Sequence, residues 1–178
     1  MTHYYFAMAE RLGARYFTLH GDRNITGNGL SNVPRDLHIE VLARMADIAA
    51  EYGIMITQEN VSWCASQNPE YIRMLREGLG KRIGFTLDVK QARRAKIDIY
   101  DYLDAMGDQL LNIHISDHTD KNTCVLPGDG IMDYQQFAER LRKIGYEGAL
   151  ILEVYSTAFD DIRQIASSKI ILENKIYY

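Results

Sequence analysis

Five ionisable residues stand at the ends of short apolar runs: His20 in TLHGD, Glu59 in ITQEN, Asp88 in TLDVKQA, His114 in NIHISD and Glu153 in LILEVY. They lie 39, 29, 26 and 39 residues apart, spacings that match whole strand-plus-helix units. Any one of them would say little, because acidic residues often cap the helix after a strand and a lone His is commonly structural. Five such residues at the same end of five parallel strands converge on one mouth, where α/β folds place their chemistry. Three carboxylates and an imidazole gathered there repel one another or stay partly protonated unless a cation joins them. A divalent ion resolves the conflict. Two Glu, one Asp and one His form an oxygen-rich set that favours Mn²⁺ or Mg²⁺, with Co²⁺ or Zn²⁺ able to compete on affinity. A hydrogen-bonded network with basic neighbours is the other resolution, and Lys90, Arg93 and Arg94 follow Asp88 closely enough to supply it.

The elements that must position these residues are visible as apolar runs at 14–19, 54–57, 83–87, 110–115 and 149–152. These runs are partly β-branched or aromatic and mostly lack alternation, which predicts strands buried on both faces of a parallel sheet. Helical stripes lie between them: 4–12 closed by Gly13, 34–52 followed by Gly53, a helix opened by Pro69, 99–106, 134–144 closed by Gly145, and 159 to about 172. Strands alternating with helices imply βαβ units. Five units suit either an open doubly wound sheet or part of a (β/α)8 barrel, which ordinarily needs about 250 residues. No low-complexity stretch or linker divides residues 1–178, so a single domain is expected.

The 178 residues carry 20 Lys+Arg against 24 Asp+Glu, for a net charge of −4 and a pI near 5.7. That balance argues against a nucleic-acid partner, which calls for a basic footprint. No apolar run reaches the length of a membrane span, and the N-terminus lacks the charged-then-apolar order of a signal peptide, so a cytoplasmic protein without a membrane partner is expected. Cys64 and Cys124 form neither a CxxC pair nor a disulfide framework and are expected to be unreactive.

At these residues the chain resembles the sugar phosphate isomerase/epimerase family, the xylose isomerase-like TIM barrels that also include apurinic-site endonucleases. The matching pieces are LGARYFTLHGD, ITQEN, GFTLDVKQA, LLNIHISD, LPGDG and GYEGALILEVY, in family order over about residues 10 to 157. The resemblance implies a partial (β/α)8 barrel holding the fourth to eighth strands, with the first three βα units lacking and Met1 falling inside a family helix. It assigns Glu59, Asp88, His114 and Glu153 to the four metal-ligand positions and His20 to a place near metal or substrate. Two departures matter. Gln91 stands where many members have His, and Cys124 stands where many have a His before the Gly-x-Gly turn, here Gly128-Asp129-Gly130. Both weaken the multi-metal endonuclease reading.

The implied activity is metal-dependent isomerisation or epimerisation of a sugar or sugar phosphate through an enediolate, with Glu59 and Glu153 as paired acid and base. His20, Lys90, Gln91, Trp63 and Asp117 are the expected substrate contacts, with Tyr155 as a second aromatic wall. A metal-dependent hydrolase or dehydratase on the same scaffold remains open. So does an inactive fragment that needs a partner chain. Two open strand edges, near 15–19 and 149–152, predict association into a homo-oligomer or with another chain.

Overall fold

The structure is a computed structural model that describes residues 2–23 and 31–176. Its elements follow in the order α1 (Thr2–Arg11), β1 (Tyr16–Leu19), α2 (Arg35–Ala50), β2 (Met55–Glu59), α3 (Pro69–Leu79), β3 (Gly84–Asp88), α4 (Val89–Ala95), α5 (Ile99–Met106), β4 (Leu110–Ile115), α6 (Tyr134–Lys143), β5 (Ala149–Leu152) and α7 (Ile162–Ile176). Local chemistry explains the boundaries. Asn68 caps α3 by accepting from the Glu70 amide at 2.9 Å, Pro69 opens the helix, and Gly80 closes it at φ 55°. Asp98 and Asp133 cap α5 and α6 in the same way.

All strand pairs are parallel, and the order in space is the order in sequence, β1-β2-β3-β4-β5. A doubly wound sheet reverses its order at a switch point, and this one never does. With crossovers of one hand, an unreversed order keeps the helices on a single face and curls the sheet toward a barrel. The five strands therefore form a half-barrel.

The apolar core lies between the sheet's outer face and the helices: Ile56, Phe85, Leu87, Ile113 and Ile115 pack with Leu42, Ile72, Leu75, Leu103, Met106 and Phe137. The inner face is polar. The Thr18 and Thr57 hydroxyls lie 3.0 Å apart, and Thr86 donates to Thr57 at 2.9 Å. Because side chains alternate along a strand, Glu59, Asp88 and His114 project on this same inner face, one layer above Thr57, Thr86 and Asn112. A bulge between Phe85 and Thr86 in the β3–β4 pairing sets the register. It places Leu111 against Gly84, where a Cβ would overlap the leucine side chain.

Burial on both faces holds for β3 and nearly all of β2 but fails for the outer strands. β1 is half-buried along its length and β5 alternates between exposed and half-buried, because each has a neighbour on one side only. Helix α4 has no counterpart among the helical stripes of the sequence, and α7 starts at Ile162, three residues after the start its stripe predicts.

Candidate metal and active site

β2 and β3 run one or two residues beyond the expected apolar runs, so that Glu59 and Asp88 are their last members. The register pairs Asp88 with His114 across β3 and β4 and Glu59 with Thr86 across β2 and β3. The Glu153 amide donates to the Ile115 carbonyl at 3.0 Å, extending the ladder one step past β5. Four consecutive strands thereby bring Glu59, Asp88, His114 and Glu153 together, with one ligand atom of each within 4.8 Å of all the others.

His114 Nδ1 stands 2.9 Å from Glu153 Oε2, 3.4 Å from Glu59 Oε1 and 4.0 Å from Asp88 Oδ2. None of these approaches has hydrogen-bond geometry. Asp88 Oδ2, His114 Nδ1 and Glu153 Oε2 are buried atoms without a hydrogen-bond partner. Buried polar atoms are ordinarily satisfied, so three orphans aimed at one point require explanation. A cation at that point satisfies all three, and three carboxylates with one imidazole suit a hard divalent ion.

The remaining atoms of these residues hold the fold. Asp88 Oδ1 caps α4 through the Gln91 amide at 2.9 Å. Asn60, fully buried, accepts from the Asp88 amide at 2.6 Å and donates to the Asp88 carbonyl at 3.0 Å, continuing the β2–β3 pairing with a side chain. Asn112 lies 3.3 Å from His114 Nε2, which leaves Nδ1 as the nitrogen facing the carboxylates. Neither asparagine was singled out from sequence, although Asn60 adjoins Glu59 and Asn112 sits two residues before His114, on the same strand face.

The charges shift one another. Burial pushes Asp88 up, and Glu59 and Glu153 add to this, against Lys90 and the Gln91 amide, with the result near 7. Burial opposes the His114 charge, but contacts with Glu153 and Glu59 outweigh it and lift the imidazole to about 9. Glu153 is held down to about 2 by His114 first and then by Lys90, against the effect of burial.

The expected substrate contacts divide into two groups. His20 Nε2 is 3.5 Å from Glu59 Oε2, and the imidazole meets the Trp63 ring edge-on at 6.1 Å. Both rings are exposed beside the cluster. Lys90, Gln91 and Asp117 are buried instead. Lys90 Nζ pairs with Glu153 Oε1 at 3.0 Å and Asp88 Oδ2 at 3.3 Å, so it does not present a free ammonium to a phosphate. Gln91 Oε1 accepts from the Ser62 amide at 3.2 Å and hydroxyl at 2.8 Å, fixing the loop after β2. Asp117 stands outside the cluster with both oxygens filled: Oδ1 by the amides of His118 and Met132, Oδ2 by the Gly128 amide and the Tyr134 hydroxyl. Four donors saturate a carboxylate, which leaves no position for a substrate hydroxyl.

Tyr155 is half-exposed, with Lys90 and Arg94 over its ring and its hydroxyl accepting from Arg94 at 2.8 Å. Cys64 is buried, and burial raises its thiol. Among the described residues no helix is long and apolar enough to cross a membrane.

Known proteins share this architecture. A D-tagatose 3-epimerase-like protein matches 98% of the chain at 22% identity with a TM-score of 0.77, over 67% of its own length. D-psicose 3-epimerase from Clostridium cellulolyticum H10 matches 98% at 13% identity and a TM-score of 0.75, over 69% of its length. An uncharacterized protein of Methanocaldococcus jannaschii is 26% identical over 145 residues, which cover 78% of the chain. The chain spans about half the length of that relative (48%). The family model described as xylose isomerase-like TIM barrel matches residues 5–172, and with its five-stranded half-barrel the chain belongs to that family.

Proposed function

We propose that this chain carries the catalytic centre of a divalent-metal-dependent isomerase or epimerase acting on a sugar or sugar phosphate. The observation behind this reading is the convergence of Glu59, Asp88, His114 and Glu153 from four consecutive strands, with three of their atoms left unbonded at the point of convergence. These four residues would hold the ion, and Mn²⁺ suits the donor set best. Such an ion supplies Lewis-acid charge where negative charge builds on the substrate oxygens as a proton leaves the neighbouring carbon.

Glu59 and Glu153 stand on β2 and beyond β5, with two strands between them, and so approach a bound sugar from different sides. One takes the proton from the carbon beside the carbonyl and the other returns a proton, as base and acid in turn. Asp88 and His114 hold the ion. His20 and Trp63 orient the sugar at the mouth. The five strands are taken as the fourth to eighth of the barrel, in one domain, and the net charge of −4 agrees with a small-molecule substrate rather than a nucleic acid. The ketose epimerases among the structural relatives favour a ketose.

A second reading also has an observation in its favour. Glu153 is about half exposed (45% of its side chain) because β5 is an edge strand. On this reading the chain needs a second copy or another chain to enclose a substrate, and alone it binds metal without turnover.

The test joins metal content to isotope exchange. The first reading expects about one divalent ion per chain, absent from the Glu59→Ala/Glu153→Ala variant. It also expects solvent deuterium beside the carbonyl of recovered ketose, lost in Glu153→Gln. Metal without exchange across a panel of ketoses and their phosphates moves the assignment to the second reading. Well-folded protein without metal removes the ion from both.

A further inference from the structure

We infer that Lys90 is a built-in cation of the metal site that sets the charge of the ion the site accepts. The inference rests on the metal centre proposed above and adds to it a residue that selects the ion. Lys90 lies in the first turn of α4, two residues after Asp88, and only 3% of it is exposed. Its ammonium reaches Glu153 Oε1 at 3.0 Å and Asp88 Oδ2 at 3.3 Å, and it stands 5.2 Å from the centre of the Tyr155 ring. A buried ammonium is costly unless paired, and here two carboxylates and an aromatic face compensate it together.

The pairing is selective among the oxygens. Glu153 gives Oε1 to Lys90 and turns Oε2 toward His114, where it has no hydrogen-bond partner. Asp88 gives Oδ1 to the Gln91 amide and leaves Oδ2 without a hydrogen bond, between Lys90 and His114. The lysine therefore sits beside the converging atoms, at ion-pair distance from Asp88 Oδ2 without a hydrogen bond to it, and leaves Glu153 Oε2 and His114 Nδ1 to face one another.

Charge then decides what the site accepts. Glu59, Asp88 and Glu153 bring three negative charges. With a neutral His114 and no lysine, that set is balanced by a trivalent ion. The Lys90 ammonium cancels one charge, and a single divalent ion completes neutrality. A unit charge this close to the ion, in a partly buried setting, acts on affinity by powers of ten. The penalty grows with the ion's charge, so the lysine favours divalent over trivalent cations.

Titrating Mn²⁺ and Tb³⁺ into the full chain, by calorimetry and by terbium luminescence, tests this. Because the repulsion scales with the ion's charge, removing it in Lys90→Met should tighten Mn²⁺ about a hundredfold and Tb³⁺ about a thousandfold, moving the ratio of the two affinities about tenfold. Lys90→Arg, which keeps the charge, should stay within about threefold of the parent for both ions. Lys90→Gln provides the same neutralisation should the methionine variant fail to give a cooperative melt. Unchanged or weaker binding of both ions in the neutral variants overturns the inference, as does an arginine variant that behaves like the methionine one. A parent chain that takes no Mn²⁺ while Lys90→Met takes one sinks the proposed function but supports the lysine as the site's occupying cation. If neither takes an ion, both readings fall.

Discussion

Two buried aspartates stand close to neighbouring strand ends and have opposite characters. Asp88 closes β3 and is 1% exposed; Asp117 lies two residues past β4 and is 0% exposed. Asp117 accepts from three backbone amides and a tyrosine hydroxyl, at 2.7 to 3.2 Å, and ties residues 128–134 onto the end of β4. Asp88 accepts one amide hydrogen bond through Oδ1, and its other oxygen has none. Burial is the same in the two, so burial does not separate a structural acid from a functional one. What separates them is satisfaction: the fold completes Asp117 by itself, whereas Asp88, His114 and Glu153 keep buried atoms without a hydrogen-bond partner, turned toward one point.

The strongest way to break this comparison is to remove each carboxylate. Asp117→Ala strands the His118 and Met132 amides and takes the acceptor from the Tyr134 hydroxyl in a buried loop, while Gly128 keeps its bond to Tyr134, and should cost about 3–5 kcal/mol. Asp88→Asn keeps the cap on α4, trades the pairing with Lys90, which Glu153 still holds, against relief of repulsion from Glu59 and Glu153, and should change the metal-free stability by about 1 kcal/mol while abolishing metal binding. Urea unfolding of both variants with metal analysis of each checks the pair. The reverse order of stability losses would show that Asp88, and not Asp117, is the acid the fold depends on.

The pH dependence sharpens the same contrast. His114 is raised from 6.5 to about 9, so its contribution is complete below pH 6.5 and is lost as the pH climbs through 9. Asp88, raised from 3.8 to about 7, is also protonated more readily folded than unfolded, so its ionisation lowers stability between those values. Glu153, lowered to about 2, contributes above pH 4.5 and loses that contribution as the pH falls toward 2. With chelator present, the chain should therefore lose about 2 kcal/mol between pH 6.5 and 9. Saturating Mg²⁺ should flatten this loss, because a bound ion takes the place of the His114 proton. A loss unchanged by Mg²⁺, in chelator-free buffer, would mean that the orphaned atoms do not form an ion site.

The sequence made the strands and the converging residues readable because each apolar run ends in a polar residue at the same relative position. It did not make α4 readable. The buried face of that helix includes Lys90 and Gln91 beside Val89 and Ala92, so the usual apolar stripe is interrupted by the residues that serve the site. The bulge at Leu111 and the bridging role of Asn60 depend on the neighbouring strand, which a single chain pattern does not display. Asp117 follows His114 at the end of a strand, in NIHISD, and so reads as a substrate contact in the sequence. The difference comes from donors 11 to 17 residues away, Gly128, Met132 and Tyr134, which reach it only after the loop folds back.

The smallest effect is the most exacting test of whether the two regions are independent. The Tyr134 hydroxyl donates to Asp117 Oδ2 at 2.7 Å and accepts from the Gly128 amide at 3.2 Å. In Tyr134→Phe the Gly128 amide keeps its bond to Asp117, so the loss is one charge-assisted hydrogen bond, about 1–2 kcal/mol. The ring, at the start of α6 and buried in the core, is unchanged. Because Asp117 lies outside the converging set, Mn²⁺ affinity should stay within about twofold of the parent, as expected of sites with no shared partners. A tenfold loss of affinity would show that the loop tied down by Asp117 presses on His114 through residues 115–116. Asp117 would then be a positioning residue for the metal centre, and satisfaction of hydrogen bonds would no longer separate the two aspartates.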